Sequence, residues 1–497
     1  MARVAVIGWT AMSKHSTARR MAILCTGALL LPACTDASDK SPAPRLNVLL
    51  VTLDTTRADR LSCYDPSRET TPHIDALAAE GVRFAEAIST AGITPMSHSS
   101  ILTGLNNYRH GMRVFHSESV SHRLKDSVET LPELLRDRGW RTGAFVSSYP
   151  VSGIYGLDQG FDTFDLGIDV DALDLTGQQK HATNFYDGEK SNTQRRGDFT
   201  VSKALEWLDT NGRADPWCMW VHMFDVHDYS LVPPAEFASR YGIEYPDDVT
   251  SQDVEWRERM YDPELAFMDV QVERLLEWVR ASGQWEDTLI VITADHGQGL
   301  IDGGERHGWV KHRLIYDWSI HVPLVVRIPG ERTGLVVEPL VRTIDILPTV
   351  LEALDLPSPD LEGRSLLGLV RGEPDEPRVA YADALNLEDE HAPRKWRDEY
   401  IDNLFCVREQ RWKLIWHQTK EEFTELFDLD ADPLELHNVA AEHPEQVARL
   451  RAFLDERRAA ETEPPDTSHA GADAEALKNL GYLDDDGGDD GAPPSKN

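Results

Sequence analysis

Three short, uninterrupted apolar runs frame this chain. N47-V-L-L-V-T-L-D ends at Asp54, W217-C-M-W-V-H-M-F-D-V-H at Asp225 and His227, and T288-L-I-V-I-T-A-D-H-G at Asp295 and His296. A continuous apolar run bounded by turn residues reads as a strand buried on both faces, the pattern of a parallel sheet covered by helices. In open parallel sheets ligands bind beyond the carboxyl ends of the strands, so these acidic and imidazole groups are expected to face one crevice. An Asp after a strand also serves as a turn former or helix N-cap. Three such ends, two of them with a histidine, favour a shared metal or phosphate-type site.

Between the runs the period changes from continuous to helical. T71-P-H-I-D-A-L-A-A-E predicts a helix stopped at Gly81, and V128-E-T-L-P-E-L-L-R-D-R-G-W-R-T-G-A-F-V a helix, a glycine stop and a strand. T200-V-S-K-A-L-E-W-L-D resumes a helix, I320-H-V-P-L-V-V-R-I-P reads as a buried strand, and I344-D-I-L-P-T-V-L-E-A-L as an apolar helix. In the loop T90-A-G-I-T-P-M-S-H, Pro95 disfavours a helical Thr94 and suits an early helical position, which puts Thr94 at a helix N-terminus. Free N–H groups and the helix dipole favour an anionic group there. Past about residue 375 the alternation fades. F405-C-V-R-E-Q-R-W-K-L-I-W reads as one antiparallel strand, E425-L-F-D-L-D-A-D-P as its partner, and P444-E-Q-V-A-R-L-R-A-F-L-D-E-R-R as a covering helix. The predicted class is α/β: a large mixed, mostly parallel sheet sandwiched by helices, with a smaller C-terminal antiparallel-sheet-plus-helix subdomain.

A length of 497 residues suits one large α/β unit with an appendage, and a formal charge of -35 argues against nucleic acid as a partner. Residues 1–34 read as an export signal. Arg19 and Arg20 precede M21-A-I-L-C-T-G-A-L-L-L, and L31-P-A-C34 resembles a bacterial lipobox, with Pro32 a departure from its usual small second residue. Cys34 is then the expected lipidation site, and the protein is expected to be exported, periplasmic or at the cell surface, and lipid-anchored to a membrane. Residues 35–44 are expected to form a tether, 45–375 the α/β domain that carries the candidate site, 376–460 the C-terminal subdomain, and 461–497 an acidic, disordered tail. Cys63, Cys218 and Cys406 have neither disulfide-framework nor zinc-site spacing.

The segments N47-V-L-L-V-T-L-D, T71-P-H-I-D-A-L-A, S97-H-S-S-I-L-T-G, F224-D-V-H, T293-A-D-H-G, V322-P-L, D345-I-L-P-T and L426-F-D-L-D-A-D-P-L-E-L-H-N resemble, in order and spacing, the sulfatase family of the alkaline phosphatase superfamily. The resemblance implies an alkaline phosphatase-like fold, a divalent metal and attack on a sulfate or phosphate centre of a small anionic ester. It assigns Asp54, Asp295 and His296 to the metal, His227 to the leaving group as general acid, and Lys311 to the substrate's anionic oxygens. Arg113 and His307 are further candidates for substrate binding.

The chain departs from that family at several positions. Where the family carries C-x-P-S-R or S-x-P-S-R, oxidised to formylglycine, this chain has T94-P-M-S-H, so no formylglycine is expected and His98 stands in place of the arginine. The K-x-H pair is missing from G143-A-F-V-S-S-Y-P, and the second Asp of the D-D pair is Thr55. Some phosphodiesterases and phosphoethanolamine transferases of the superfamily likewise use Thr as nucleophile. The expected reaction is therefore hydrolysis or transfer at a phosphate mono- or diester through a Thr94 alkoxide that also binds the metal, with His98 orienting it. A sulfuric ester hydrolase and a non-catalytic binding protein are the alternatives. Asp54, Thr94, Asp295 and His296 mix one imidazole with three oxygens, which favours zinc or manganese over calcium. No D-x-x-x-H spacing marks a second metal.

Overall fold

The computed structural model describes residues 45–117, 120–167, 194–227, 232–244, 254–300, 313–389 and 401–459. Cys34, His307 and Lys311 lie outside the described residues. The chain runs through β1 (Asn47–Leu53), α1 (Pro72–Glu80), β2 (Val82–Ile88), α2 (Thr94–Thr103) and α3 (Asn107–His110) to a ribbon of β3 (His116–Ser117) and β4 (Val120–Ser121). Then come α4 (Leu131–Arg136), β5 (Arg141–Val146), β6 (Thr163–Asp165), α5 (Gly197–Asn211), β7 (Trp217–Met223), α6 (Ala235–Arg240) and α7 (Val254–Ala281). β8 (Thr288–Thr293), α8 (Asp317–Ile320), β9 (His321–Arg327), β10 (Leu335–Val337), β11 (Val341–Arg342), α9 (Ile346–Ala353) and α10 (Leu367–Arg371) complete the first layer system.

Nine of these strands form one sheet in the order β10-β2-β9-β8-β1-β7-β5-β6, with β11 also on β2. Every pairing is parallel except those of β9, which runs against both β8 and β2. Alternate residues of the central strands enter two separate cores. Leu50, Trp220 and Val291 pack with Met96 and Ile101 of α2 and Leu347 of α9 on one face. Leu49, Val51, Met219 and Ile290 pack with Leu77 of α1, Ala204 of α5 and Leu275 of α7 on the other. Burial on both faces is why β1, β7 and β8 read as unbroken apolar runs.

A second sheet, β12 (Ala380–Leu385), β13 (Asn403–Arg408), β14 (Trp412–His417) and β15 (Glu425–Asp428), is wholly antiparallel and is followed by α11 (Pro444–Arg458). The stretch over 405–416, expected to be a single strand, is thus a hairpin. Glu409, Gln410 and Arg411 make its turn, and none of them is a glycine, proline or asparagine that would have announced it. The two sheets meet through Ile88, Ile320 and Leu314 packed on Ala382, Cys406 and Ile415. Lys413, 0 % exposed, binds Asp317 at 2.7 Å and Glu435 at 2.6 Å beneath that contact, and Arg408 joins Asp317 at 3.3 Å to Glu86 at 2.6 Å. No helix among the described residues is long and apolar enough to cross a membrane.

Candidate active site

Register brings the site together. Thr52 of β1 stands opposite Thr293 of β8 and His222 of β7, so Asp54 and Asp295, each two residues further on, leave the sheet side by side. One ligand atom each from Asp54, Asp295 and His296 lies within 4.8 Å of the others, and all three residues are fully buried. The turn after Asp54 is tight. Thr55 adopts φ 50°, its amide donates to Asp295 Oδ1 at 3.2 Å, and its carbonyl accepts from the Tyr261 hydroxyl at 2.7 Å. A β-branched residue in the left-handed region is strained by about 1–3 kcal/mol, and these two bonds hold it there.

Thr94 is the first residue of α2, with Pro95 behind it, as the loop sequence predicts. Its Oγ1 lies 3.2 Å from His296 Nε2 and 3.4 Å from Asp54 Oδ2. His296 Nδ1 lies 2.9 Å from the Gly297 carbonyl, an acceptor only, so Nδ1 carries the hydrogen and Nε2 presents its lone pair inward. That lone pair faces Asp295 Oδ2 at 3.3 Å. Asp54 Oδ1 is buried without a partner, and burial first, then Asp295, raise the Asp54 pKa well above the usual carboxylate range. The pocket therefore gathers more lone pairs than hydrogens, which fits a divalent cation held by Asp54, Asp295 and His296 with Thr94 beside it.

Under the site lies a directional hydrogen-bond chain. Trp220 Nε1 donates to Thr52 Oγ1 at 2.9 Å, Thr52 Oγ1 donates to His98 Nε2 at 3.0 Å, and His98 Nδ1 donates to the Thr94 carbonyl at 2.9 Å. Burial pushes the His98 pKa down to about 3, so it works as a neutral ring. His98 thus holds the backbone of Thr94 one helical turn away, and Ser97 Oγ donates to the Ile93 carbonyl at 2.9 Å in the same turn. His222, which nothing in the apolar run of β7 singles out, places Nε2 2.9 Å from Asp54 Oδ2.

The remaining candidates are placed differently. His227 stacks on Phe224 with ring centroids 4.1 Å apart. Arg113 is not gathered with the carboxylates; its guanidinium pairs with Asp383 of β12 at 2.7 Å and reaches the Tyr381 hydroxyl at 3.3 Å. Asp225 Oδ1 accepts from the Gly197 amide at 2.9 Å, at the first residue of α5. The triad Glu86, Asp317 and His321 also has metal-like spacing, but Lys413 and Arg408 already neutralise it. A cavity of about 310 Å³ lined by Arg342, Arg364, Arg378 and Arg457 is likewise satisfied internally, through Asp345, Asp375 and backbone carbonyls.

Asp225 yields a pH prediction. Burial raises its pKa to about 7, against about 3.9 in an unfolded chain. The folded state holds the proton more tightly, so stability is full below the unfolded value and falls as pH rises through 7. Asp225→Asn keeps the acceptor for Gly197 and cannot ionise. Urea midpoints are expected to fall less between pH 5 and pH 8 in this variant than in the parent, and parallel declines would refute the assignment.

The profile of the Sulfatase family matches residues 46–356, and that of N-sulphoglucosamine sulphohydrolase, C-terminal, matches residues 304–461. The N-acetylglucosamine-6-O-sulfatase of Bacteroides thetaiotaomicron is 22% identical over 531 residues, covering 87% of this chain and 90% of that protein. The choline-sulfatase of Rhizobium meliloti is 34% identical over 220 residues, covering 43% and 39%. Among solved structures, the phosphonate monoester hydrolase of Silicibacter pomeroyi shares the fold with a TM-score of 0.64 at 21% identity, over 84% of this chain and 96% of that one. Family enzymes use a divalent metal, and the clustered Asp54, Asp295 and His296 form a group able to hold one. With more than half its length matched by the family profile, the chain belongs to the sulfatase family of ester hydrolases.

Proposed function

We propose that this chain hydrolyses a phosphate mono- or diester, or transfers its phosphoryl group to an acceptor alcohol, with Thr94 as nucleophile. The observation that carries this reading is the Thr94 hydroxyl itself, 3.2 Å from His296 Nε2 and 3.4 Å from Asp54 Oδ2, in the window that the resemblance aligns with the formylglycine motif. Asp54, Asp295 and His296 would hold a divalent ion, zinc or manganese rather than calcium for this one-nitrogen set, which when bound would make that hydroxyl more acidic. Thr94, its proton lost to solvent, forms an Oγ–P bond as the ester P–O bond breaks. His227 protonates the departing oxygen, and Lys311 balances charge on the non-bridging oxygens. Water or an acceptor alcohol then releases the phosphoryl group from Thr94. A threonine lacks the geminal hydroxyl by which formylglycine expels sulfate, which favours phosphorus. The export signal and Cys34 support lipid anchoring at the cell envelope.

The second reading, a sulfuric ester hydrolase, is favoured by the names of the curated relatives, which are sulfatases. Nitrophenyl phosphate, bis-nitrophenyl phosphate and nitrophenyl sulfate separate the two. Faster turnover of a phosphorus ester is expected, abolished by a chelator and restored by zinc or manganese better than by calcium. Turnover of the sulfate alone would overturn the proposal.

A further inference from the structure

Two side chains contact Asp54 Oδ2, Thr94 at 3.4 Å and His222 at 2.9 Å, and His222 has a role that the family pattern does not assign. His222 sits in register with Thr52 of β1 and Val146 of β5, and its side chain is fully buried between the central strands. The Ser147 amide donates to His222 Nδ1 at 3.4 Å. A backbone amide has only a hydrogen to offer, so Nδ1 carries the lone pair and Nε2 the hydrogen. That hydrogen points at Asp54 Oδ2, 2.9 Å away. The ring is also fixed edge-on to His98, with centroids 5.1 Å apart. Ser147 lies on the strand end where the family's K-x-H pair is missing, and its Oγ is engaged with Thr200 Oγ1 at 2.6 Å.

We propose that His222 is the positioning residue of Asp54. Its Nε2–H engages Oδ2, the oxygen that also faces Thr94, and thereby fixes the rotation of the carboxylate, leaving Oδ1 without a hydrogen-bond partner. A carboxylate at a strand end can rotate about its last torsion, and a donor fixed by a backbone amide removes that freedom. Donors behind ligating carboxylates commonly change metal affinity by about 10–100-fold when removed. His222 therefore acts on the ion through Asp54 without touching substrate.

The inference rests on Asp54 as a ligand, and the experiment separates the two. Full-length His222→Phe, His222→Gln and Asp54→Ala are compared with the parent for zinc and manganese Kd by titration calorimetry, and for kcat and KM on the best ester. Phe keeps the ring's bulk without the donor, whereas the Gln amide offers N–H to Asp54 and a carbonyl to the Ser147 amide. His222→Phe is expected to weaken ion binding by about 10–100-fold and to lower kcat at limiting metal with little change in KM. His222→Gln is expected to return Kd to within about threefold of the parent, a rescue that a packing role would not produce. If Phe binds the ions like the parent, or Gln fails to rescue, the positioning role is wrong. Should Phe fail to fold, Gln alone decides it by the same criterion. Asp54→Ala that binds zinc and manganese normally would instead overturn the reading of the metal site.

Discussion

Thr94→Ala is expected to lower kcat/KM for the preferred ester by roughly 10³-fold or more, the scale seen when a covalent nucleophile is removed. The substitution suits the first position of α2, where alanine is a good helix former and no side-chain cap is lost. Stability should therefore stay close to the parent's. Asp54, Asp295 and His296 remain, so the divalent ion should still bind, which distinguishes loss of the nucleophile from loss of the metal. Thr94→Ser retains the hydroxyl and should keep most of the activity. Rapid quenching of the parent during turnover should yield a phosphorylated peptide containing Thr94, absent from the alanine variant. An alanine variant with parental kcat/KM would remove Thr94 from the mechanism.

Lys413→Met is expected to destabilise the folded chain by about 3 kcal/mol at pH 8, because it leaves buried carboxylates without their ammonium partner. Burial opposes the Lys413 charge, but Asp317 and Glu435 outweigh it and raise its pKa. Burial, with Asp317 nearby, raises Glu435 to about 7, even though Lys413 pulls it down. Once the lysine is gone, Glu435 can take up a proton, so the loss should shrink at pH 5, whereas Asp317 keeps Arg408 at 3.3 Å. Adding Glu435→Gln to Lys413→Met should recover part of the stability at pH 8. Urea midpoints of the two variants at both pH values test this. Equal stability of parent and Lys413→Met would show that the cluster contributes nothing net.

The two-faced burial of β1, β7 and β8 was legible because a short, continuous apolar run between turn residues fits little besides a strand covered on both sides, and their parallel order followed from the helices between them. The direction of β9 was not, since H321-V-P-L-V-V-R is equally apolar whichever way it pairs. The 28-residue α7 went unread because Pro263 interrupts its pattern, although the finished helix accommodates that residue. Within the site, Asp54, Asp295 and His296 announced themselves as polar groups at apolar strand ends, and Thr94 by its proline. His222 gave no such sign. It lies mid-strand, where a lone histidine in W217-C-M-W-V-H-M looks like core, and only the register of Thr52 against it reveals the partner. Asp225 had the same sequence context as Asp54 but binds the amide of the first residue of α5. The distinction depends on the position of Gly197, 28 residues away.

The bend at Thr55 carries one more implication. The family pattern places an aspartate there, a residue that enters the left-handed region more readily than threonine does. Here Thr55 takes the left-handed conformation without supplying a third carboxylate. Asp54 and Asp295 would bring two negative charges to a divalent ion, a sum of zero before Thr94 loses its proton, whereas a third carboxylate would leave that state anionic. An electroneutral centre repels an approaching dianion less than an anionic one does. On the proposed reading, exchange of that one side chain lowers the repulsion of a loaded site toward any anionic ester, most of all toward a phosphate monoester, which carries two charges near neutral pH.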